Sequence, residues 1–243
     1  MTVSEERKHE LAQTLSTVAQ DLQAQTSISD TLTSMTKSAV DTIPGADFAG
    51  ITLVEGGRTV SAQAYTHETA RLCDELQDTV RDGPCWDAAW QQQTVLVPDM
   101  SVESRWPRFA TEAHRLGVGS MISFQLFVQG DNLGALNMHG TAPYAFASDA
   151  QLVGELFASH AAVALAGASE TRQLNTALAT RDTIGQAKGI LMHRDSVDGE
   201  TAFAMLVHAS QQSNVKLSEV AAWMVNEHEQ PGRARRPTSS KGR

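Results

Sequence analysis

The sequence has little cysteine and no long apolar run, and each absence excludes a class of protein. Its 243 residues include two cysteines, Cys73 and Cys85, which are too few for a disulfide framework and form no metal site by themselves. No continuous apolar run approaches the roughly 20 residues that cross a bilayer. Residues 1–10 are charged and lack the apolar segment of a secretory signal. These absences predict a cytoplasmic protein without a membrane-spanning segment.

Positive charge is also scarce, except at the C-terminal end. The chain has 19 basic and 28 acidic residues, and five of the basic ones lie in the acid-free segment 230–243. The rest therefore carries 14 basic and 28 acidic residues, a net charge of −14. Because non-specific nucleic-acid binding depends on neutralising phosphates, this balance argues against a general polyanion binder. The tail is predicted to be disordered, either adding salt-sensitive affinity or serving as a solubilising end.

What is present is an ordinary globular composition, with 41% hydrophobic residues and a mean hydropathy of −0.25. The length suits one large domain or two smaller ones. Within residues 1–26, the spacing of Leu11, Leu15, Val18 and Leu22 predicts one amphipathic helix. That helix either packs on its own domain or forms a coiled-coil seam with a second subunit, and the sequence leaves both open.

The next part of the chain alternates helical and β-rich patterns. Two strand runs flank the hairpin signal at residues 55–58, and a later pair of strands flanks residues 129–131. Hairpins with helices around them predict an α+β domain with an antiparallel sheet. The predicted elements are helix Ser29–Ile43 capped by Ser29 or Asp30, strands Phe48–Val54 and Thr59–Tyr65, helix 69–80, a short helix through Trp90, strand Thr94–Val97, helix Trp106–Leu116, and strands Gly119–Val128 and Asn132–His139.

Most residues that could hold a small molecule lie in residues 69–116, a mainly helical segment between the two strand pairs that we call the helical insertion. Aromatic rings beside an arginine suit a planar or anionic ligand, although packing of the insertion over the sheet explains the same rings equally. The two cysteines lie in the same insertion, and the residues alone suggest small semi-buried hydrophobes. The predicted ligand-pocket residues are Cys85, Trp86, Arg105, Trp106, Phe109 and Met121.

A long helix is predicted from Ser148, because no proline or turn cluster interrupts the chain as far as Met192. More than forty helical residues exceed an ordinary globular helix. The apolar residues Leu174, Ala177 and Leu178 within it need a partner. A parallel dimer is the simplest way to cover them.

Three helical periods follow in residues 177–229. The last helix repeats apolar residues from Leu217. The middle helix runs from about Asp198 to Gln212, with Asp198 or Ser196 as its cap and Ser213-Asn214 as its end. Three short helices with short connections form a compact bundle, which is small for independent stability. The predicted core-facing residues are Ile184, Ala187 and Leu191 in the first helix, Ala202, Phe203, Leu206, Val207 and Ser210 in the second, and Leu217, Val220, Ala221 and Met224 in the third.

A second face of the first helix carries charge. Arg181, Gly185, Lys188 and Met192 share it, at spacings of four, three and four residues, and we call this set the cationic strip. A glycine inside a helix costs about 1 kcal/mol relative to alanine. The strip is either a solvated face with tolerated glycines or a place where another backbone, of protein or nucleic acid, approaches closely.

Residues 27–167 resemble a GAF domain, on the segments FAGITLV, GPCWDAAWQQQTVLVPDM and GALNMHG and the helix that begins FASDAQLVGELF. The resemblance implies an antiparallel sheet flanked by helices, often with a small molecule under the helical insertions. Some GAF relatives reduce a methionine sulfoxide with cysteines, and others ligate haem with a histidine. These precedents make Cys73, Cys85 and His139 candidates. The simpler interpretations are that the cysteines act as small semi-buried hydrophobes and that the histidine faces solvent or packs at a strand end.

Residues 177–229 resemble an ANTAR domain along their whole length, on IGQAKGILM, the Ala202-Phe203 pair and LSEVA. ANTAR domains are three-helix modules that bind paired hairpins in nascent RNA leaders and thereby disfavour a transcription terminator. The residues that match the characteristic positions, and so the predicted RNA-binding set, are Arg181, Gln186, Lys188 and Gly189, with Arg194 as a basic neighbour.

The sequence therefore predicts an α+β GAF domain linked by a long helix to an all-α three-helix ANTAR bundle. The predicted divisions are 1–26, 27–167, a helical coiled-coil connector 168–176, 177–229 and the tail 230–243. The predicted function is that of a dimeric, non-enzymatic RNA-binding antiterminator whose GAF domain senses a signal, dimerises, or both. The alternatives are a protein-interaction adaptor and a GAF-type thiol redox enzyme. The identity of a small-molecule ligand stays open, and no metal is predicted.

Overall fold

A computed structural model describes residues 13, 14, 16–22, 24, 25, 27–55, 59–91 and 94–229. The chain divides after Arg172 into two compact units, which are treated separately below. The predicted hairpin turn at 55–58 and the tail 230–243 fall largely or wholly outside the described residues.

The first unit is an α+β fold, as the sequence predicts. Helical residues 16–22 precede its main elements, and Val18 and Leu22 of the predicted stripe are buried in its core, so this part of the helix packs on its own domain. Leu11 and Leu15 of that stripe lie outside the described residues. The elements that follow are α1 (Ile28–Thr42), β1 (Phe48–Glu55), β2 (Thr59–Tyr65), α2 (Glu68–Val80), α3 (Pro84–Gln91), β3 (Val95–Val97), a 3-10 helix (Met100–Val102), α4 (Pro107–Arg115), β4 (Ser120–Val128), β5 (Asp131–Gly140) and the first part of α5 (Ser148–Asp195).

The five strands form one antiparallel sheet in the order β2-β1-β5-β4-β3. Alternation along each strand sends successive side chains to opposite faces. Ile122, Phe124 and Leu136 point into a core shared with α1 and α5. Their neighbours Met121 and Ala135 point into a second core shared with α2, α3 and α4. The sheet is therefore covered on both faces, and the second face carries the helical insertion.

Helix α1 begins one residue before the predicted start, and its cap differs from the prediction. Ser27, with extended backbone, accepts a hydrogen bond from the amide of Asp30 at 3.1 Å. Ser29 and Asp30 lie inside the first turn, so the prediction of either as the cap is wrong. The motif is a serine followed three residues later by a carboxylate that also accepts from the Ser27 hydroxyl.

Helix α5 is continuous over 48 residues, which confirms the predicted long helix. It contains a stretch of 18 residues with a mean hydropathy of 1.4, long and apolar enough to cross a membrane by length and composition, whereas the sequence predicts no such span. The difference arises because interspersed alanines raise the average without forming a continuous apolar run. Since 44% of the stretch is buried and core helices pass the same test, this is weak evidence for a membrane span.

The second unit packs the end of α5 against α6 (Gly199–Ser213) and α7 (Leu217–Glu229). Asp198 caps α6 by accepting from the amide of Thr201 at 2.8 Å, and Asn214 ends it with a positive φ of 54°, as predicted. Its small buried core consists of Ala187, Leu191, Ala202, Leu206 and Ala221.

One predicted core position of this unit is wrong. Phe203 is 42% exposed, although its neighbour Ala202 is fully buried. Ala202 and Leu206 occupy the line along which α6 meets the rest of the core, and Phe203 lies about 100° further round the helix. Phe203 therefore points away from that line, and its ring is left largely outside the buried core.

Candidate nucleic-acid interface and buried polar cluster

The cationic strip lies on the surface of the second unit. Arg181 and Gln186 are exposed, and a side chain added at Gly185 or Gly189 would meet no neighbouring atom within 4 Å. The helix backbone is therefore open to close approach along the strip. Guanidinium, amide and ammonium donors beside an accessible backbone suit recognition of RNA loops, whose bases and phosphates are splayed out.

Lys188 belongs to the strip, and its half-buried side chain extends from it towards helix α6. Its Nζ lies 5.9 Å from the centroid of the Phe203 ring. A β-carbon built at Gly199 would lie 3.6 Å from both this Nζ and the Sδ of Met192. The ammonium group therefore stands beside an exposed aromatic ring, within the range of a cation–π contact.

Arg194, the fifth predicted RNA-binding residue, is engaged within the chain. Its Nε and Nη2 donate to the two carboxylate oxygens of Asp195 at 2.9 and 2.8 Å. The pairing raises the pKa of Arg194 and lowers the pKa of Asp195. A phosphate would have to compete with this bidentate partner, so Arg194 offers less free charge than Arg181.

The first unit holds a second arrangement that the sequence did not reveal, a buried polar cluster of Thr52, Asp74, Ser123, Asn137 and His139. Asn137 Nδ2 donates to Asp74 Oδ1 at 3.0 Å and to Thr52 Oγ1 at 3.2 Å, and Ser123 Oγ donates to Asn137 Oδ1 at 2.8 Å. His139 Nε2 lies 3.9 Å from Asp74 Oδ1. The cluster spans β1, β4, β5 and α2.

Polar atoms of this cluster are left without hydrogen bonds, which is uncommon for buried groups. Among the described residues, no partner is found for Asp74 Oδ2 or for either ring nitrogen of His139. Burial raises the pKa of Asp74 to about 8 and lowers the pKa of His139 to about 4. Near neutral pH both side chains are therefore mainly uncharged, and the pair is no ion pair.

The Asp74 carboxyl group reaches the cluster because the residue beneath it on β1, Gly50, has no side chain. A β-carbon at Gly50 would lie 2.2 Å from Asp74 Oδ2. On α2 the buried positions Ala70, Cys73, Asp74 and Gln77 follow helical spacing. That spacing is the feature from which the sequence could have predicted a buried polar site, since it places the Asp74 carboxyl group on the inner face of an amphipathic helix.

The predicted ligand-pocket residues meet in one place. Cys85, Trp106, Phe109 and Met121 are buried in the core of the second sheet face, and Trp86 packs at its edge. These side chains contact one another, as expected for an insertion packed over the sheet. Their assignment to a ligand stays a prediction.

The sixth predicted pocket residue, Arg105, lies at the border of the same core. Its guanidinium donates to Glu103 at 2.7 Å and lies 4.3 Å over the Trp106 ring. The charge predicted for an anionic ligand is therefore paired with a carboxylate.

The two cysteines are free and buried. Burial, with a smaller contribution from the nearby Asp74 charge, raises the pKa of each thiol to about 12. Because the thiolate is the nucleophile, such thiols are unreactive near neutral pH. No group of three or more metal-ligating side chains occurs in the part of the chain that the structure describes.

Comparison with known proteins matches each unit to a domain family. Family models match a GAF domain over residues 25–166 and an ANTAR domain over residues 172–225. No curated protein is significantly similar to this chain in sequence.

Solved structures share the fold of the first unit at low identity. The GAF domain of a phosphoenolpyruvate-protein phosphotransferase from Coxiella burnetii is 14% identical with a TM-score of 0.54, covering 67% of this chain and 96% of its own. The GAF domain of the Acinetobacter phosphoenolpyruvate-protein phosphotransferase is 14% identical with a TM-score of 0.51, and the match covers 70% of this chain and 97% of that domain.

A free methionine-R-sulfoxide reductase from Neisseria meningitidis is also 14% identical, with a TM-score of 0.52. The match covers 66% of this chain and 90% of the reductase chain. At such identities these likenesses show the fold alone. The GAF model matches more than half of the chain, and the ANTAR model matches most of the three-helix unit. The chain therefore belongs to the GAF domain family and carries, after this sensor-type domain, an ANTAR domain of the kind found in RNA-binding antitermination regulators.

Proposed function

We propose that this protein binds paired hairpins in nascent leader RNA through its ANTAR domain and thereby prevents formation of a transcription terminator. The observation that carries the proposal is the exposed cationic strip with its open helix backbone, on a unit that matches the ANTAR family. Arg181, Gln186, Lys188 and Gly189 are the proposed contacts, with Arg194 available only in competition with Asp195.

The surrounding charge makes this binding selective. Residues 170–229 carry five basic and eight acidic side chains, a net charge of −3. Long-range attraction of the phosphate backbone is therefore weak, and affinity must come from a few specific contacts. Two hairpins held by the two copies of a homodimer would multiply modest single-site affinities. This argument is the reason that dimerisation is part of the proposal.

The proposed sensor is the face of the GAF sheet that carries the insertion. The predicted pocket residues and the buried polar cluster lie on this same face, and the cluster offers unpartnered donors and acceptors to a small polar molecule. Because the proposed target is a transcript still being synthesised, the proposed location is the cytoplasm.

Binding of a tandem-hairpin RNA by alanine variants tests the function. We expect Arg181→Ala and Lys188→Ala each to weaken binding about fivefold or more, because each removes a charged contact. Lys216→Ala is the matched control, since Lys216 is an exposed lysine outside the strip. A scrambled RNA of equal length should bind weakly to all four proteins. Equal affinities for the tandem-hairpin and scrambled RNAs would contradict the proposal.

A protein-docking adaptor is the second candidate, and one observation favours it. Trp223 on α7 is 64% exposed, and Glu219 and Glu227 stand four residues to either side of it. Two carboxylates beside an indole repel phosphate but suit a basic protein surface. In the binding experiment, an adaptor would show no preference for hairpin RNA.

A further inference from the structure

We propose that Phe203 is the base-stacking residue of the RNA site, and that Lys188 beside it contacts the phosphate of the stacked nucleotide. This inference rests on the proposed function and names a contact that the cationic strip alone does not include. The occupant is one unpaired nucleotide in a hairpin loop.

The position of Phe203 is the first support. The ring stands 42% exposed, and Phe203 directly follows Ala202, which belongs with Leu206 to the small buried core of the unit. Its neighbours one turn away are Gly199, which has no side chain, and Val207, which is half-buried. The ring therefore contributes only part of its area to folding and presents the rest to a ligand. Aromatic rings exposed in this way are the usual platforms for unpaired bases.

The second support is the cation placed against that ring. Lys188 Nζ lies 5.9 Å from the ring centroid, and it comes from a different helix. A base that stacks on the ring brings its own phosphate within several ångströms, where a flexible ammonium group can follow it. Ring and cation together match the two parts of a nucleotide, its base and its phosphate.

The local charges also favour stacking. Asp198 and Glu200 flank Gly199 at the start of α6, and Asp198 is occupied in capping the helix. These carboxylates weaken the attraction of Lys188 for phosphate, so a contact that does not depend on charge gains importance. Stacking on a phenyl ring is such a contact.

Trp223 provides a matched comparison. It is larger and more exposed than Phe203, yet its neighbours at four residues on either side are Glu219 and Glu227, and no described cation lies against its ring. If exposed aromatic area alone sufficed, Trp223 would bind RNA better than Phe203. The proposal assigns stacking to Phe203 only.

The test measures binding of the full-length protein to tandem-hairpin RNA for Phe203→Leu, Phe203→Trp and Trp223→Leu. We expect Phe203→Leu to weaken binding roughly fivefold to hundredfold, the range for loss of one base-stacking contact. Phe203→Trp should bind like the parent, because it keeps an aromatic face, and its fluorescence should be quenched on binding. Trp223→Leu should leave affinity unchanged. Circular dichroism establishes that each variant is folded.

Salt dependence separates the ring from the cation. Lys188→Ala should reduce the slope of log affinity against log salt by about one, whereas Phe203→Leu should lower affinity and keep the slope. Equal binding by the parent and Phe203→Leu would overturn the stacking role while leaving RNA binding intact. Equal losses for the Leu and Trp variants would overturn it as well. A parent protein that binds no hairpin RNA would overturn the proposed function, and this inference with it.

Discussion

At the scale of single residues, Asp74 and His139 respond to the same burial in opposite ways. Desolvation disfavours the charged form of each, which raises the pKa of the acid and lowers the pKa of the base. Although they are 3.9 Å apart, each is mainly neutral near pH 7. The two side chains therefore leave a titration signature in the stability of the GAF domain.

We expect the free energy of unfolding to fall as pH rises from about 6.5 to about 8. Asp74 ionises near pH 3.9 when unfolded and near 8 when folded, so between these values the folded state holds more protons and loses up to about 1.4 kcal/mol per pH unit. His139 has a folded pKa of about 4, below its ordinary value, so its contribution is lost as pH falls from about 6.5 to 4. The two slopes offset below pH 6.5, and of the two only that of Asp74 remains between pH 6.5 and about 8.

Chemical denaturation of Asp74→Asn between pH 4 and 8 checks this assignment, since the buried thiols add no slope in that range. The amide oxygen still accepts from Asn137, so the variant should lose the decline between pH 6.5 and 8 and become the more stable protein at pH 8. Asp78→Asn, which removes a carboxylate from the exposed side of α2, should keep the decline. A parent protein whose stability is flat from pH 6.5 to 8 would show that Asp74 titrates normally.

The buried thiols give a second expectation for single residues. Because burial raises the pKa of Cys73 and Cys85 to about 12, the folded protein should react very slowly with a disulfide reagent at pH 7.5 and fully only in denaturant. Absorbance of the released thiolate follows the reaction. Rapid modification of the folded protein would instead support the alternative of a thiol redox enzyme.

At the scale of elements, helix α5 approaches the sheet at a glycine. A β-carbon at Gly154 would lie 2.0 Å from the buried ring of Phe124. We therefore expect Gly154→Ala to destabilise the GAF domain by about 1–3 kcal/mol, the usual cost of overpacking. Gly167→Ala on the same helix meets no atom within 4 Å and should stabilise by about 0.5–1 kcal/mol through helix propensity. Thermal unfolding compares them, and equal effects would contradict this difference in packing.

Local signals predicted most elements, and they were wrong where neighbouring elements decide. The cap at Asp198 and the stop at Asn214 are visible in the sequence because each acts within a few residues. Ser27 was missed because three polar residues compete for one cap. Phe203 was assigned to the core because helical spacing locates a face only to within about one residue, and the packing of α6 against the other two helices then buries Ala202 instead.

Of the candidate sites, the sequence predicts the one that lies within a single helix and misses the one that distant elements form together. Arg181 and Lys188 share one helix, so their spacing alone placed them together. The pairing of Arg194 with the next residue could not be read from spacing. In the buried polar cluster, Asn137 bonds to partners 63 and 85 residues away. The pairing of β1 with β5 and the position of α2 over Gly50 bring these groups into contact.

At the scale of the whole molecule, the exposed apolar residues of α5 bear on the oligomeric state. Leu174 is 63% exposed and Leu178 is 48% exposed, four residues apart in the second unit. Leu152, 57% exposed, and Leu156, 39% exposed, have the same spacing in the first unit. A second copy of α5 would bury such pairs, and it would also double the number of RNA sites in one particle.

We expect Leu174→Gln together with Leu178→Gln to convert a dimer into a monomer of 26.2 kDa in light scattering. Glutamine keeps helix propensity and charge but removes the apolar contact, so any change in RNA binding reflects association rather than electrostatics. The double variant should bind a single hairpin normally and lose about 10²-fold or more for tandem hairpins, because the second site is no longer tethered. Val102→Gln, at an exposed position outside α5, should change neither property. A parent protein that stays monomeric across the micromolar range, or a double variant with unchanged tandem affinity, would show that one copy recognises both hairpins.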